Sequence, residues 1–217
     1  MPAARFVEPF SPGADRRVMA AATYPEPSAR GAGASDADLV TRAQAGDDRA
    51  FSALADRYSP RLRRVLFGVT RDCDAAWDAV QEALVRAWQN IGRFEGRSRF
   101  YTWLTRIGLN EAYRRVPSRP EQSLEVYDAV GERIPDWGNQ PDEVFESRDF
   151  LAAVDRALAE LPDDYRVAVI LRDVEGLSTT EAAQVLGVGE RALKSRLHRG
   201  RLALRAKLDD HFTEAAV

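Results

Sequence analysis

The sequence predicts an all-α protein of two small helical domains joined by a flexible acidic linker. Three observations predict it. Apolar residues recur at spacings of three and four from about residue 36 to 116 and again beyond residue 147. No stretch of useful length alternates apolar and polar residues as a half-buried strand does. Between the two periodic blocks, residues 117–146 hold Pro117, Pro120, Pro135, Gly138 and Pro141, with eight acidic side chains against two basic ones, Arg119 and Arg133. The domains are therefore expected at 35–116 and 147–212, with 117–146 as the linker. At 217 residues, 45 % of them apolar, the chain is long enough for two small cores.

Residues 1–34 are rich in Ala, Pro and Gly, show no periodicity and are expected to be disordered; Met19 in this stretch is an alternative start. Ser35 with Asp38 forms a capping-box pair that opens a short helix ending at Gly46. A longer helix starts near Asp47, and Pro60 is expected to bend or divide it. The next, from about Asp72 to Asn90, has an apolar stripe of Trp77, Val80, Leu84, Ala87, Trp88 and Ile91, with Asp78, Gln81, Glu82 and Arg86 on another side. After the loop 92–97, Ser98 is expected to cap a helix to about Val116, with Phe100, Leu104, Ile107 and Tyr113 facing inward. In the second block, one helix ends at Pro162 and another runs from Asp163 to Glu175 before Gly176. Ser178 with Glu181 caps a short helix closed by Gly187, and a last helix spans about Gly189 to Leu208.

Much chemistry is excluded. The single cysteine, Cys73, rules out a disulfide framework or a cysteine-rich zinc site. The two histidines, His198 and His211, both fall in the last helix and tail and leave no Ser/His/Asp or Cys/His constellation. The glycine-rich phosphate-binding motifs are absent. No enzyme activity, cofactor or metal is expected. No apolar run approaches the roughly 20 residues of a membrane span, and Val18–Ala22 is too short for a signal-peptide core, so a cytoplasmic protein without membrane insertion is expected.

Two stretches point to nucleic acid instead. Residues 178–201 have the layout of a helix-turn-helix: a capped helix, a turn at Gly187-Val188-Gly189, and a second helix bearing Arg191, Lys194, Ser195, Arg196, His198, Arg199 and Arg201. Such a helix lays its first turns in the major groove, where Arg, Lys and Ser meet base edges and phosphates. The plainer alternative is a solvated basic face. In the first domain, Arg99, Arg106, Asn110 and Arg114 fall roughly in line on one helix, with Phe94, Phe100, Tyr101 and Trp103 beside them. Basic groups interleaved with aromatic rings suit single-stranded or unstacked DNA, although the rings also suit a core.

Four stretches together resemble the extracytoplasmic-function (ECF, group 4) sigma factors of the sigma-70 family. They are Leu39–Asp47 with Ala50-Phe51; Trp77–Trp88; Arg93–Gly96 with Phe100–Ile107 and Asn110; and Leu171–Ser178 with Lys194–Arg199. The resemblance covers about residues 36–208. It implies a factor that binds core RNA polymerase and directs promoter-specific initiation. It identifies 35–116 as sigma region 2 and 147–212 as sigma region 4. It also implies roles for residues. Asp78, Gln81, Glu82 and Arg86 would bind the polymerase β′ clamp helices. Phe94, Ser98, Arg99, Arg106, Asn110 and Arg114 would read melted −10 DNA. Arg172, Lys194, Ser195, Arg196, His198 and Arg199 would read the −35 duplex. The β flap and an anti-sigma factor are further implied partners. The sequence departs from the family where an acidic run usually precedes Gln81; here it reads Ala75-Ala76-Trp77-Asp78. The rival reading is a helix-turn-helix regulator acting without polymerase. It leaves residues 72–116 unexplained.

Overall fold

The computed structural model describes residues 34–116 and 148–215, and every regular element among them is helical. The expectations for 1–33 and for the linker lie outside the described residues. Helix α1, Asp36–Gln44, begins with the expected reciprocal Ser35/Asp38 capping box. Helix α2, Asp48–Thr70, is capped by Asp47 and runs unbroken through Pro60, so the expected division does not occur. The proline removes one backbone donor, and the Ser59 hydroxyl donates to the Ala55 carbonyl at 2.6 Å beside that gap.

Helix α3, Cys73–Asn90, starts at the Asp72 cap and leads into a 3₁₀ turn, Ile91–Arg93. Its buried stripe is Ala76, Ala79, Val80, Ala83 and Ala87. Trp77 is not part of it: the ring is 46 % exposed, with the Arg63 guanidinium 6.0 Å from its centroid. The helix packs on α2 and α4 through these small alanines and Val80, with Ile91 buried just beyond it and Leu84 and Trp88 packed half-buried on the same core, so of the expected stripe only Trp77 falls outside. Helix α4, Phe100–Arg115, starts at Arg99 without a side-chain cap. Ser98 is therefore not the cap; its hydroxyl donates to the Arg99 carbonyl at 3.4 Å. Tyr113 is 43 % exposed rather than inward, because the buried face of α4 runs through Leu104, Thr105, Gly108, Leu109 and Ala112. Gly108 is small where it must be, since a Cβ there would stand 2.8 Å from Leu62 Cδ1.

Helix α5, Arg148–Glu160, and α6, Asp163–Val169, open the second half. Helix α6 runs on into a π turn, Ile170–Val174, where the Glu175 amide donates to the Ile170 carbonyl at 2.9 Å. Helix α7, Thr179–Leu186, and α8, Glu190–Ala215, complete it; α8 extends seven residues past the expected end.

The two halves pack directly on one another. Leu54, Leu62 and Leu104 of the first belong to the same buried cluster as Ile170, Leu171 and Leu177 of the second. Ile170 is fully buried and reaches the open face of Gly68, and the Arg166 Nε donates to the Gly68 carbonyl at 2.7 Å.

Candidate nucleic-acid interface

The helix-turn-helix is built as its residues dictate. The Glu181 amide donates to Ser178 Oγ at 3.2 Å, and the Ser178 amide donates back to Glu181 Oε2 at 2.9 Å, satisfying two orphan donors of α7. Gly187 ends α7 at φ +66°, a left-handed conformation that favours glycine. Leu193 and Leu197 are buried in one cluster with Ala182, Ala183 and Val185, and the Thr180 hydroxyl donates to Glu190 at 2.6 Å to tie α7 to the start of α8. This packing leaves Arg191, Lys194, Ser195 and His198 exposed along the outer side of α8.

The other assigned residues of this half are less open. Arg196 is half-buried and turns back onto Asp164 at 2.7 Å; Arg199 is also half-buried. Arg172 donates to the Leu177 carbonyl, and its Nε is buried without a hydrogen-bond partner among the described residues. Arg172 and Arg196, both expected at the −35 element, thus also make local contacts within the fold. Arg201, assigned no role, forks onto Asp173 at 2.9 and 2.6 Å.

In the first half the residues expected to read DNA lie on a loop against a helix. The Gln44 amide donates to the carbonyls of Ile91 and Phe94, at 3.0 and 2.8 Å, and so fastens the loop to α1. Phe94 is half-buried, its ring 5.1 Å from Trp103 and 6.0 Å from Phe100. Arg106, Asn110 and Arg114 are exposed on α4. Asn110 and Arg114 line a groove of about 530 Å³ together with Arg93, Trp103, Glu82 and Arg86. Beneath it lies Glu111, whose side chain is 4 % exposed, forms an ion pair with Arg86 at 3.1 Å and accepts from Arg114 at 3.0 Å. Arg86 also pairs with Glu82 at 3.0 Å.

The residues assigned to polymerase therefore divide. Asp78 and Gln81 point outward with Trp77 and Val85, the latter 49 % exposed, making one stripe along α3. Glu82 and Arg86 border the groove instead.

Arg99 and Ser98 sit where the halves meet. Arg99 forks onto Glu181 at 2.5 and 2.6 Å, and the Thr102 hydroxyl donates to the same carboxylate at 3.2 Å. The Arg99 hydrogen bond holds the Glu181 carboxyl well below the usual range, at about 2, with the Ser178 amide and hydroxyl adding to it against a burial penalty. Ser98 lines a second groove of about 470 Å³ with Phe94, Trp103 and Arg106, and Gln184 and Val185 of α7 form its other wall.

Sequence reasoning missed Gln44, Glu111 and Glu175. For the two acids a signal was present: Glu111 continues the apolar phase Phe100, Leu104, Ile107, and Glu175 continues Val167, Leu171. An acid in an apolar phase is buried and must be paired. Among the described residues no cluster of His, Cys, Asp and Glu fits a metal ion, and no helix is long and apolar enough to cross a membrane.

Family models match both halves: Sigma-70 region 2 over residues 54–119, and Sigma-70 region 4 over residues 151–204. The RNA polymerase sigma-H factor of Pseudomonas aeruginosa is 33 % identical over 187 residues, covering 83 % of this chain and 97 % of that protein. The ECF RNA polymerase sigma-E factor of Escherichia coli K12 is 33 % identical over 182 residues, covering 80 % of this chain and 94 % of that protein. Among solved structures, the sigma factor RpoE in complex with the anti-sigma factor NepR from Bartonella quintana is 30 % identical with a TM-score of 0.52, covering 73 % of this chain and 96 % of that one.

Proposed function

The chain belongs to the ECF sigma factors of the sigma-70 family, and from that premise we propose how its surfaces divide the work of promoter-directed initiation. It binds core RNA polymerase and directs transcription from specific promoters, with region 2 in residues 35–116 and region 4 in 147–212. One observation carries the division of labour. The exposed polar and basic residues fall on two separate helices, one beside a loop of aromatic rings and the other in a helix-turn-helix.

Helix α8 reads the −35 duplex through Lys194, Ser195 and His198, which project from one side of its first turns, with Arg199 beside them. Arg172 and Arg196 brace that helix. The α4 surface reads the −10 element once melted: Arg106 and Arg114 hold backbone phosphates, while Asn110, Ser98 and Phe94 face an unstacked base. The α3 stripe of Asp78 and Gln81 seats the β′ clamp helices, with Trp77 and Val85 adding apolar contact, and Glu82 and Arg86 tie that stripe to the DNA groove. Region 4 meets the β flap. An anti-sigma protein is the third partner, supported by the complex in which the similar RpoE is found. The protein works in the cytoplasm by binding alone, without catalysis.

The test is reconstitution. The purified chain added to core polymerase should start discrete transcripts from a genomic fragment library. Asp78→Arg with Gln81→Ala should abolish co-elution with core, and Asn110→Ala should spare co-elution but remove permanganate reactivity near the start. Core binding unchanged by the α3 substitutions would overturn the polymerase assignment.

A further inference from the structure

We propose that Glu111 is a positioning residue of the melted-strand surface: its buried carboxylate fixes Arg114 beside Asn110 and so sets the register at which a base is read. The inference rests on the −10 reading proposed above and adds to it a residue that acts through its neighbours.

Asn110 and Glu111 follow one another on α4 and therefore stand about 100° apart around its axis. Asn110 is exposed and lines the groove, whereas Glu111 is buried at its floor. Arg114 lies four residues after the first and three after the second, so both stand one turn from it. The Glu111 Oε1 accepts from Arg114 Nη1 at 3.0 Å. The same oxygen pairs with Arg86 Nε of α3 at 3.1 Å. Its Oε2 lies 3.7 Å from Arg115 Nη1, which donates to the Glu111 carbonyl at 3.0 Å. One carboxylate thus faces arginines from both walls of the groove.

Stability does not account for this arrangement. Taking a carboxylate out of water is costly, and a buried ion pair is replaceable by apolar packing with little loss. Affinity for DNA does not account for it either, because an anion beneath a phosphate-binding surface repels the phosphate. What Glu111 supplies is geometry. The Arg114 side chain is 61 % exposed and forms no other ion pair among the described residues, so without Glu111 it sweeps through many rotamers. Arg86 differs, since it keeps Glu82 at 3.0 Å. The pair with Arg86 also fixes the carboxylate against α3, so the anchor does not drift along α4.

A phosphate contact carries no sequence information itself, but it sets where the bases stand. An arginine held one turn from Asn110 anchors the strand so that Asn110 meets one base and not the next. Glu111 therefore gives up affinity for selectivity.

Full-length chains are compared as holoenzymes with core polymerase. The probes are two non-template strands of about 20 nucleotides. One carries the −10 segment of a promoter from which the wild-type holoenzyme initiates, and the other holds the same bases in permuted order. Glu111→Gln keeps the shape of the side chain and removes its charge. It is expected to bind the permuted strand about threefold more tightly at low salt, with a steeper salt dependence, while preference for the promoter strand falls about tenfold. Arg114→Gln, at an exposed position, is expected to weaken binding to both strands and to lose the same preference. Adding Glu111→Gln to it should cost no further preference, because Glu111 acts through Arg114. A merely structural Glu111 gives another pattern: Glu111→Gln weakens both strands in step with a lowered melting temperature and leaves the preference unchanged. That result would overturn the proposal. If Glu111→Gln does not fold, Arg114→Gln decides. Weaker binding to both strands at unchanged preference would overturn the positioning role and leave the −10 reading standing. Unchanged binding to both would remove Arg114 from the −10 surface, and with it the reading on which the inference rests.

Discussion

The two halves carry the residues proposed to contact DNA in opposite ways. On α8, Lys194, Ser195 and His198 project into solvent from a helix whose packing residues, Leu193 and Leu197, lie on its other side. Function and fold use separate residues. On α4 and its loop they are merged: Arg114 stands on the buried Glu111, Arg99 on Glu181, and Phe94 against two other rings. A duplex offers its edges in a fixed groove, so a rigid helix with a clean outer stripe suffices. A melted strand must be held open, and the surface proposed to receive it is itself a network of pairs.

The sharpest way to break this contrast is to remove packing on the duplex side. Leu193 is fully buried between α7 and α8, and Leu193→Ala should destabilise region 4 by about 3 kcal/mol. Calorimetry should show its transition shifted down, and −35 duplex binding should fall with it, while core binding through α3 persists. By contrast, Lys194→Ala should leave the melting curve in place and weaken −35 binding by about 1–3 kcal/mol, read by anisotropy on promoter duplex. If Lys194→Ala lowers the melting temperature as much as Leu193→Ala, fold and function are not separate on α8.

This contrast also explains what was legible in the sequence. The all-α class, the capping boxes at Ser35 and Ser178 and the Gly187 turn depend on neighbours within a few residues, and they stand as read. The α8 stripe was legible for the same reason, except where Arg196 finds Asp164 across the fold. The melted-strand surface was only partly legible, because Gln44 acts on carbonyls 47 and 50 residues away. Trp77 reads as core in the sequence because hydrophobicity alone cannot tell a stripe of alanines from the large ring one position out of phase. Contact between the halves had no local signature beyond acids at apolar positions.

A smaller effect lies in α5. Asp155 Oδ1 is buried with no hydrogen bond among the described residues, and burial raises its carboxyl to about 6 from 3.8. The sign follows from the unfolded chain ionising first: stability falls as pH rises from about 4 to 6, and the deficit is constant above that. Asp155→Asn should therefore stabilise region 4 by about 1 kcal/mol at pH 7, after discounting for partial exposure, and by nothing near pH 3. Thermal unfolding at the two pH values checks it.

The smallest effect separates local capping from contact between the halves. Glu181 has a folded pKa of about 2 against 4.5 for the free side chain, with Arg99 the largest cause and the Ser178 amide and hydroxyl behind it. A lowered carboxylate stabilises fully above its unfolded value, and that contribution is lost as pH falls from about 4.5 toward 2. Arg99 is half exposed, so solvent screens the pair and the contribution is about 1 kcal/mol or less. Wild type should lose more stability than Glu181→Gln over this range, the two converging near pH 2. Arg99→Ala decides where the effect resides. If the contact across the halves dominates, Arg99→Ala should remove most of the gap between the Glu and Gln forms, and nuclear magnetic resonance titration should return the Glu181 carboxyl toward 4. A carboxyl that stays near 2 without Arg99 would assign the shift to the α7 cap rather than to the contact between the halves.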